Sequence, residues 1–91
     1  CQIQVTDRVA FRPVLTTVAL IQTCRRLAPD RFAWRQPPYE YETRIPPIDI
    51  LSGSDQLRRQ LDDDVSYSAI ADGWTAGLDA FRPVRERYLL Y

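Results

Sequence analysis

Seven prolines limit what this 91-residue chain can fold into more than any other feature. Proline lacks a backbone N–H and fixes φ, so it opens and ends helices but interrupts the interior of helices and strands. Two Pro-Pro pairs lie within one twenty-residue stretch, QPPYEYETRIPPIDILSGSD (36–55). The chain is therefore divided into short elements, and its length allows one domain with a small core.

The first third of the chain predicts a strand followed by a long helix. Residues 2–6 alternate polar and apolar side chains, which is typical of a half-buried strand. Pro13 favours the first turn of a helix, and apolar residues then recur at helical spacing. Arg25 and Arg26 suit the last turn, where cations complement the helix dipole. The pattern predicts a helix over residues 13–28.

Shorter elements follow in the middle of the chain. Residues 39–43 alternate as a short strand does, and Pro47 is suited to open one or two helical turns. Gly53 is suited to end that short helix in a left-handed conformation, and Ser54 is placed to cap the next one. This stretch therefore predicts a strand and two short helices in quick succession.

The last third predicts a second long helix and a terminal strand. Ser66 favours a helix start, and the apolar spacing predicts a helix over residues 66–82 that Pro83 ends. The acidic run 62–64 lies at the end of the preceding helix, where negative charge is unfavourable, so we expect it to be solvated or to belong to the next turn. Residues 87–90 are interpreted as a final strand or a docked tail.

Together these patterns predict an α+β fold. In it a small mixed sheet of two or three short strands, from residues 2–6, 39–43 and 87–90, packs against two longer helices over 13–28 and 66–82. One or two shorter helices complete the domain. The elements are local expectations, and their arrangement is inferred from the usual layering of strands and helices around one core.

Composition excludes several classes of function. All twelve basic residues are arginines, and twelve acidic residues bring the net charge to zero, which disfavours nucleic-acid binding. The chain contains no His, which excludes an imidazole base, a Ser-His or Cys-His pair and a histidine-based metal site. We expect no cofactor, and no apolar run is long enough to cross a membrane. Because the sequence does not begin with Met, we interpret it as a piece of a longer protein.

The two cysteines carry little information about function. Cys1 and Cys24 are too few for a disulfide scaffold and lack the spacing of metal ligands. We expect both to be small buried apolar residues. A disulfide between them, or a reactive or metal-binding role, is the alternative.

Several acidic side chains are candidates for sugar chemistry. Glycoside hydrolysis uses two carboxylates about 5–10 Å apart, and the candidates are Asp7, Glu40, Glu42 and Asp49. Each has a structural alternative. Asp7 would cap the turn before Pro13, the two glutamates would lie on a strand surface, and Asp49 would cap a helix or pair with an arginine.

Arginines and aromatic residues are candidates for binding. Arg8, Arg12 and Arg44 are suited to clamp a carboxylate or phosphate as bidentate donors, and an exposed surface position is the alternative. Three aromatic residues are candidates to stack against sugar rings or bases, and core packing is the alternative for each. They are Trp34, Tyr39 and Tyr41.

Four segments carry a resemblance to a known family. They are QIQVTDRVAFRPVLTTVALI (2–21), FAWRQPPYEYE (32–42), IPPIDILSGSDQLRRQL (45–61) and the closing run from Trp74 to Tyr91. In these segments, which cover nearly the whole chain, it resembles the C-terminal part of the bacterial DUF1343 family, whose characterised members are exo-β-N-acetylmuramidases. The chain departs from the family pattern at Asp64, where the family often has Gly; Asp tolerates a left-handed backbone better than most residues.

The resemblance implies that residues 1–91 form the single C-terminal domain of a longer two-domain protein, with a larger Rossmann-like N-terminal domain ahead of it. It implies removal of N-acetylmuramic acid from peptidoglycan fragments during cell-wall recycling, by a protein that is secreted or periplasmic. The family's principal catalytic carboxylate belongs to the N-terminal domain, so no catalytic residue is assigned here and the isolated domain is expected to be inactive. The alternative is a structural or peptidoglycan-binding module that does not touch the reacting sugar.

The resemblance also implies a set of site residues. Positions that match the family's polar motifs are expected to line the substrate cleft or the interface with the N-terminal domain. They are Asp7, Arg8, Arg12, Tyr39, Glu40, Asp49, Gly53, Ser54 and Asp55. The expected partners are that N-terminal domain and muramic-acid-containing peptidoglycan fragments.

Overall fold

Five helices, joined by irregular segments, make up the regular structure in a computed structural model that describes residues 2–90. Proline stands at the first position of two of them, as its missing N–H and fixed φ favour. The helices are α1 (Pro13–Leu27), α2 (Pro47–Ser52), α3 (Gln56–Asp62), α4 (Tyr67–Asp72) and α5 (Thr75–Arg87).

Local sequence signals set most helix ends correctly. Gly53 ends α2 with φ +83°, the left-handed conformation predicted for it. Ser66 caps α4, its hydroxyl accepting a hydrogen bond from the Ala69 N–H at 3.3 Å. Asp64 has φ +55°, so the position where the family often has Gly keeps its left-handed backbone.

The predicted helix over 66–82 is two helices. The chain turns at Gly73 and Trp74, and α5 then runs on past Pro83 to Arg87, so the prediction that Pro83 ends the helix is wrong. Proline removes one N–H bond to the preceding turn, but the residues after it can still form theirs. α5 contains no buried residue, so water can satisfy the carbonyl that Pro83 leaves without a partner.

The predicted α+β sheet is wrong: within residues 2–90 the fold is helical and contains no sheet. Residues 2–5 have no regular structure and residue 6 lies in a bend, while 87–90 hold only the end of α5 and the residues after it. Residues 39–43 make one isolated antiparallel bridge, between Tyr39 and Glu42. Alternation favours an extended conformation, but a strand also needs a partner strand for its backbone hydrogen bonds.

A small core lies between α1, α3 and α4. Val18, Leu61 and Ile70, one from each of these helices, are buried, with exposed fractions of 2%, 0% and 1%. α1 packs on α4, and α2 packs on α3. The partly buried hydrophobic residues around this core are Ile21, Trp34, Leu57, Val65 and Trp74.

One buried polar side chain connects two of these helices. Gln22 of α1 is 2% exposed; its Nε2 donates to the Val65 carbonyl at 2.6 Å and its Oε1 accepts from the Tyr67 N–H at 3.1 Å. A buried amide is tolerated when both its donor and its acceptor are paired. Gln22 therefore fixes α1 against the start of α4.

Cys24 lies exposed on α1, so the prediction that it is buried is wrong. Cys1, and with it the question of a bridge between the two cysteines, lies outside the described residues. None of the helices within residues 2–90 is long and apolar enough to cross a membrane.

Candidate functional site

The structure divides most of the predicted site residues between two pockets. Asp7 and Arg12 line the first, a pocket of about 490 Å³ between the N-terminal segment and α1, which we call the Arg12 pocket. Four others line a second pocket of about 500 Å³ around the end of α2, which we call the Asp49 pocket. Those four are Asp49, Gly53, Ser54 and Asp55.

Asp7 has a structural role at the turn before α1. Its Oδ1 accepts hydrogen bonds from the N–H groups of Val9 at 2.8 Å and Ala10 at 3.1 Å, which is the turn-capping alternative that the sequence suggested. Arg8 lies exposed in this turn and forms no ion pair with any residue between 2 and 90.

Arg12 differs from the other arginines that line a pocket. It precedes the first residue of α1, and its carbonyl, not its side chain, accepts the hydrogen bonds of the first helical turn, from the N–H and the hydroxyl of Thr16. Its guanidinium forms neither a hydrogen bond nor an ion pair with the described part of the chain. The guanidinium is always charged at neutral pH, so Arg12 brings to this pocket a cation that has no ion-pair partner among the described residues.

Asp49 is engaged by an arginine. Arg58 Nε donates to its Oδ1 and Arg58 Nη2 to its Oδ2, both at 2.8 Å, while the Asp49 side chain is only 8% exposed. The hydrogen bonds that Arg58 donates to Asp49 raise the pKa of the Arg58 guanidinium above its ordinary value. The pair joins α2 to α3, so Asp49 has the structural role that its sequence left open.

The other predicted site residues of the Asp49 pocket lie between α2 and α3, where they stabilise the end of one helix and the start of the next. Asp55 pairs with Arg59 one turn later in α3, at 2.6 Å, and the Ser54 hydroxyl accepts from the Gln56 N–H at 3.3 Å. Gly53 contributes the left-handed turn between the two helices. The polar groups of this pocket are therefore largely bonded to arginines of α3 and to backbone.

Tyr39 and Glu40 lie in a tight turn outside both pockets. Reciprocal backbone hydrogen bonds of 2.9 and 3.0 Å join Tyr39 to Glu42, and Glu40, the first of the two central residues, has φ +53°. A positive φ at this position alone is the sign pattern of a type II′ turn, where glycine is usual. Glu42 Oε1 accepts from two backbone N–H groups, but the Glu40 carboxylate has no hydrogen-bond or ion-pair partner among residues 2–90.

A third pocket, the Trp34 pocket, was not predicted from the sequence. It has a volume of about 420 Å³ and is lined by residues of α1, the end of α3 and the following loops. Phe32 and Trp34 meet edge to face, with ring centroids 5.0 Å apart, and the indole N–H donates to Asp62 at 2.9 Å. Trp34 is thus held by core packing and by Asp62, so its structural alternative describes it better than a stacking platform does.

The same pocket explains how the acidic run 62–64 is accommodated. Arg25 Nη1 donates to the Leu61 carbonyl at 2.6 Å and its Nη2 to the Asp62 carbonyl at 2.9 Å, so an α1 side chain satisfies the C-terminus of α3. Arg26 bonds to Asp64 at 2.8 Å and holds the pKa of that carboxyl below its usual range. The acids remain exposed, as expected, but Arg25 and Arg26, which are 37 and 38 residues away from Asp62 and Asp64, partly neutralise them.

Comparison with known proteins assigns the family. The family model described as "Exo-beta-N-acetylmuramidase NamZ, C-terminal" matches residues 1–91, the entire chain. The chain belongs to this family. No curated protein and no solved structure matches closely enough for comparison. The resemblance inferred from the four sequence segments is therefore confirmed.

Within this NamZ C-terminal domain, the predicted site residues fall into two groups. Asp7, Asp49 and Asp55 are engaged in turns and ion pairs that hold the fold. Arg8, Arg12 and Glu40 present charged groups that no described residue engages. Within residues 2–90 no group of three or more acidic or Cys side chains is placed to hold a metal ion.

Proposed function

We propose that this chain completes the substrate cleft of an exo-β-N-acetylmuramidase whose reacting groups lie on an N-terminal catalytic domain. The observation that carries the proposal is the match of the NamZ C-terminal family model to all 91 residues. A C-terminal domain implies an N-terminal partner. In the full proposal that partner is Rossmann-like, the substrates are muramic-acid-containing peptidoglycan fragments, and the protein acts outside the cytoplasm in cell-wall recycling.

The charged side chains that have no partner within the fold favour a role in contacting substrate over a role in the hydrolysis itself. Hydrolysis of a glycoside needs two suitably spaced carboxylates, or one and a substitute. Asp7, Asp49 and Asp55 are already bonded within the fold, which leaves Glu40 as the free acid among the predicted site residues. A single free carboxylate and two free arginines, Arg8 and Arg12, suit contacts to substrate better than they suit a complete hydrolytic pair.

The large exposed surface of the chain favours a domain that packs against another domain and covers part of its cleft. The chain exposes 7902 Å², whereas a compact monomer of its mass exposes about 5500 Å². Its radius of gyration is 15.7 Å, against about 12 Å for a compact domain of 91 residues. Large apolar side chains on α5 are uncovered, among them Leu78 at 62% and Phe81 at 58%. Apolar surface of this extent is typical of a chain that packs against a partner.

The strain at Glu40 favours a functional position for the turn. Non-glycine residues in left-handed backbone cost stability and concentrate where a site requires the conformation. Beside Glu40, the Tyr41 side chain is 100% exposed and contacts nothing that would explain its size. We infer that this turn, with its carboxylate and aromatic ring, meets substrate or the partner domain.

A structural module is the second candidate function. The engagement of Asp7, Asp49 and Asp55 in the fold is what this alternative expects of motif residues. In that case the domain holds the catalytic domain or grips peptidoglycan without touching the reacting sugar.

One experiment distinguishes the two functions. In the full-length protein, Glu40→Ala and Arg12→Ala are compared with Arg31→Ala, an exposed arginine outside the pockets, using a chromogenic β-N-acetylmuramide. The cleft proposal expects lower kcat/KM for the first two variants at unchanged Tm. Wild-type kinetics for both variants would reject it in favour of the structural module. The isolated domain, assayed in parallel, is expected to hydrolyse nothing, and turnover by it would contradict the assignment of the chemistry to the N-terminal domain.

A further inference from the structure

We propose that the Arg12 pocket binds the carboxylate of muramic acid, which makes Arg12 a residue that determines sugar specificity. N-acetylmuramic acid differs from N-acetylglucosamine by a lactic acid ether on O3, and this group carries one negative charge at neutral pH. The inference rests on the proposed function and adds to it a residue and the chemical group that the residue recognises.

The first argument is the unpaired charge of Arg12. Five ion pairs are present within residues 2–90, and they use Arg25, Arg26, Arg58, Arg59 and Arg82. Arg25 and Arg26 line the Trp34 pocket but are paired there with Asp62 and Asp64. Arg12 lines an open pocket with no such pair, so its planar fork of N–H donors is available for bidentate binding of a carboxylate.

The second argument is the composition of the pocket wall. Arg12 and Asp7 are the charged residues that line it, and Oδ1 of Asp7 already accepts two backbone N–H groups. The uncharged polar residues Gln4, Thr6 and Tyr67 also line the pocket, together with apolar residues that include Leu15. A volume of about 490 Å³ lies in the range of small-molecule sites and accommodates a substituted monosaccharide.

The third argument is that Arg12 does not hold the fold. No described residue accepts a hydrogen bond from its guanidinium, and the helix that follows is bonded through the Arg12 backbone carbonyl. A side-chain change at this position therefore alters the charge of the pocket without removing a hydrogen bond or an ion pair. This separates its role from that of Arg58, whose guanidinium joins two helices.

The test compares two substrates in the full-length protein. A chromogenic β-N-acetylmuramide is assayed as the free acid and as its lactyl methyl ester, which keeps the ether group but removes the charge. For Arg12→Gln we expect kcat/KM on the free acid to fall about 10- to 100-fold, as expected for loss of a charge-assisted hydrogen-bonded pair. We expect kcat/KM on the ester to stay close to the wild-type value.

Two further variants sharpen the test. Arg12→Lys keeps the charge but lacks the planar fork, so we expect an intermediate loss on the free acid. Arg31→Gln removes one exposed positive charge elsewhere, which controls for net charge. It is expected to leave kcat/KM unchanged on both substrates. Tm is measured for every variant to verify that the fold is intact.

The outcomes separate this inference from the proposed function. An equal loss on acid and ester would overturn carboxylate binding and indicate a contact with the partner domain instead. No loss on either substrate would also overturn it. In both cases Glu40→Ala still tests the cleft independently, because that variant leaves the Arg12 pocket unchanged.

Discussion

Arg58 donates hydrogen bonds of 2.8 Å to both carboxylate oxygens of Asp49. The two residues lie on α3 and α2, which have only 7 and 6 residues. Isolated helices of this length are not stable in water, so they depend on contacts with other parts of the chain. The pair is therefore one of the contacts that gives the proline-rich middle of the chain a defined structure.

Replacement of Asp49 is expected to destabilise the domain without a specific effect on substrate. Asp49→Asn keeps the shape but removes the charge from a side chain that is 8% exposed, and we expect a loss of about 1–3 kcal/mol in the free energy of unfolding. Denaturant unfolding of Asp49→Asn, Arg58→Lys and the double variant measures the coupling. Additive effects of the two changes would show that the pair contributes nothing specific.

Gln22 gives a prediction with a pH signature. Gln22→Leu leaves the Val65 carbonyl and the Tyr67 N–H without partners, and we expect a loss of about 2–4 kcal/mol. Gln22→Glu places an ionised oxygen against that carbonyl at pH 7, so it destabilises as well. Burial raises the pKa of such a carboxyl, and its neutral form can donate in place of the amide.

The stability of Gln22→Glu is therefore expected to recover relative to wild type as the pH falls below the raised folded-state pKa and the carboxyl becomes protonated. The exposed Gln2→Glu change is the control and should show no such recovery. Chemical denaturation at several pH values measures both. A Gln22→Glu variant that weakens further toward acid would contradict the assigned hydrogen bonds.

Local signals in the sequence were sufficient for many helix ends. Pro13, Pro47, Gly53 and Ser66 act within a turn of the helices that they begin or end, and each has the role predicted for it. The prediction that Pro83 ends a helix is wrong, because an exposed helix can lose one backbone hydrogen bond and continue. Such effects depend on a few neighbouring residues, so they can be recognised without knowledge of the fold.

Contacts between distant segments could not be predicted in the same way. Residues 2–6 have the alternation of a strand, but nothing in that pattern says whether another strand will lie beside it. Arg25 and Arg26 were assigned to the dipole of their own helix, yet they contact residues 61–64 at the end of α3. The pairing of Asp49 with an arginine was anticipated as an alternative, but its partner, Arg58, was not.

The Arg26–Asp64 ion pair predicts a loss of stability in acid. The hydrogen bond from Arg26 lowers the pKa of Asp64, so the pair stabilises the fold above the unfolded-state pKa of about 3.9 and is lost as the pH falls through the lower folded-state value. Asp64→Asn keeps a residue suited to φ +55° and removes the charge.

The difference in stability between wild type and Asp64→Asn should therefore be present at pH 7 and disappear in strong acid. Because both side chains are about half exposed, it should also shrink in high salt. Thermal unfolding across this pH range measures the difference. A gap of constant size at all pH values would mean that Asp64 acts through its backbone conformation and not through its charge.

Glu40 provides the last prediction, because its strain and its proposed contact have opposite consequences. At φ +53° its Cβ is unfavourable, so Glu40→Gly relieves about 1–2 kcal/mol, part of which is offset by the greater freedom of glycine in the unfolded chain. We expect a net gain of about 0.5–1 kcal/mol in the free energy of unfolding. Glu40→Ala keeps the Cβ and should gain nothing, while both variants lose the carboxylate.

Both variants should therefore show the same reduction in kcat/KM on a β-N-acetylmuramide in the full-length protein, whereas only Glu40→Gly should be more stable. Equal activity loss at unequal stability would separate substrate contact from folding, since a purely structural residue would change the two together. A stabilised Glu40→Gly with wild-type kinetics would instead mean that the strained turn serves the domain interface. If Glu40→Gly were less stable than wild type, the backbone of this turn would not be the source of strain.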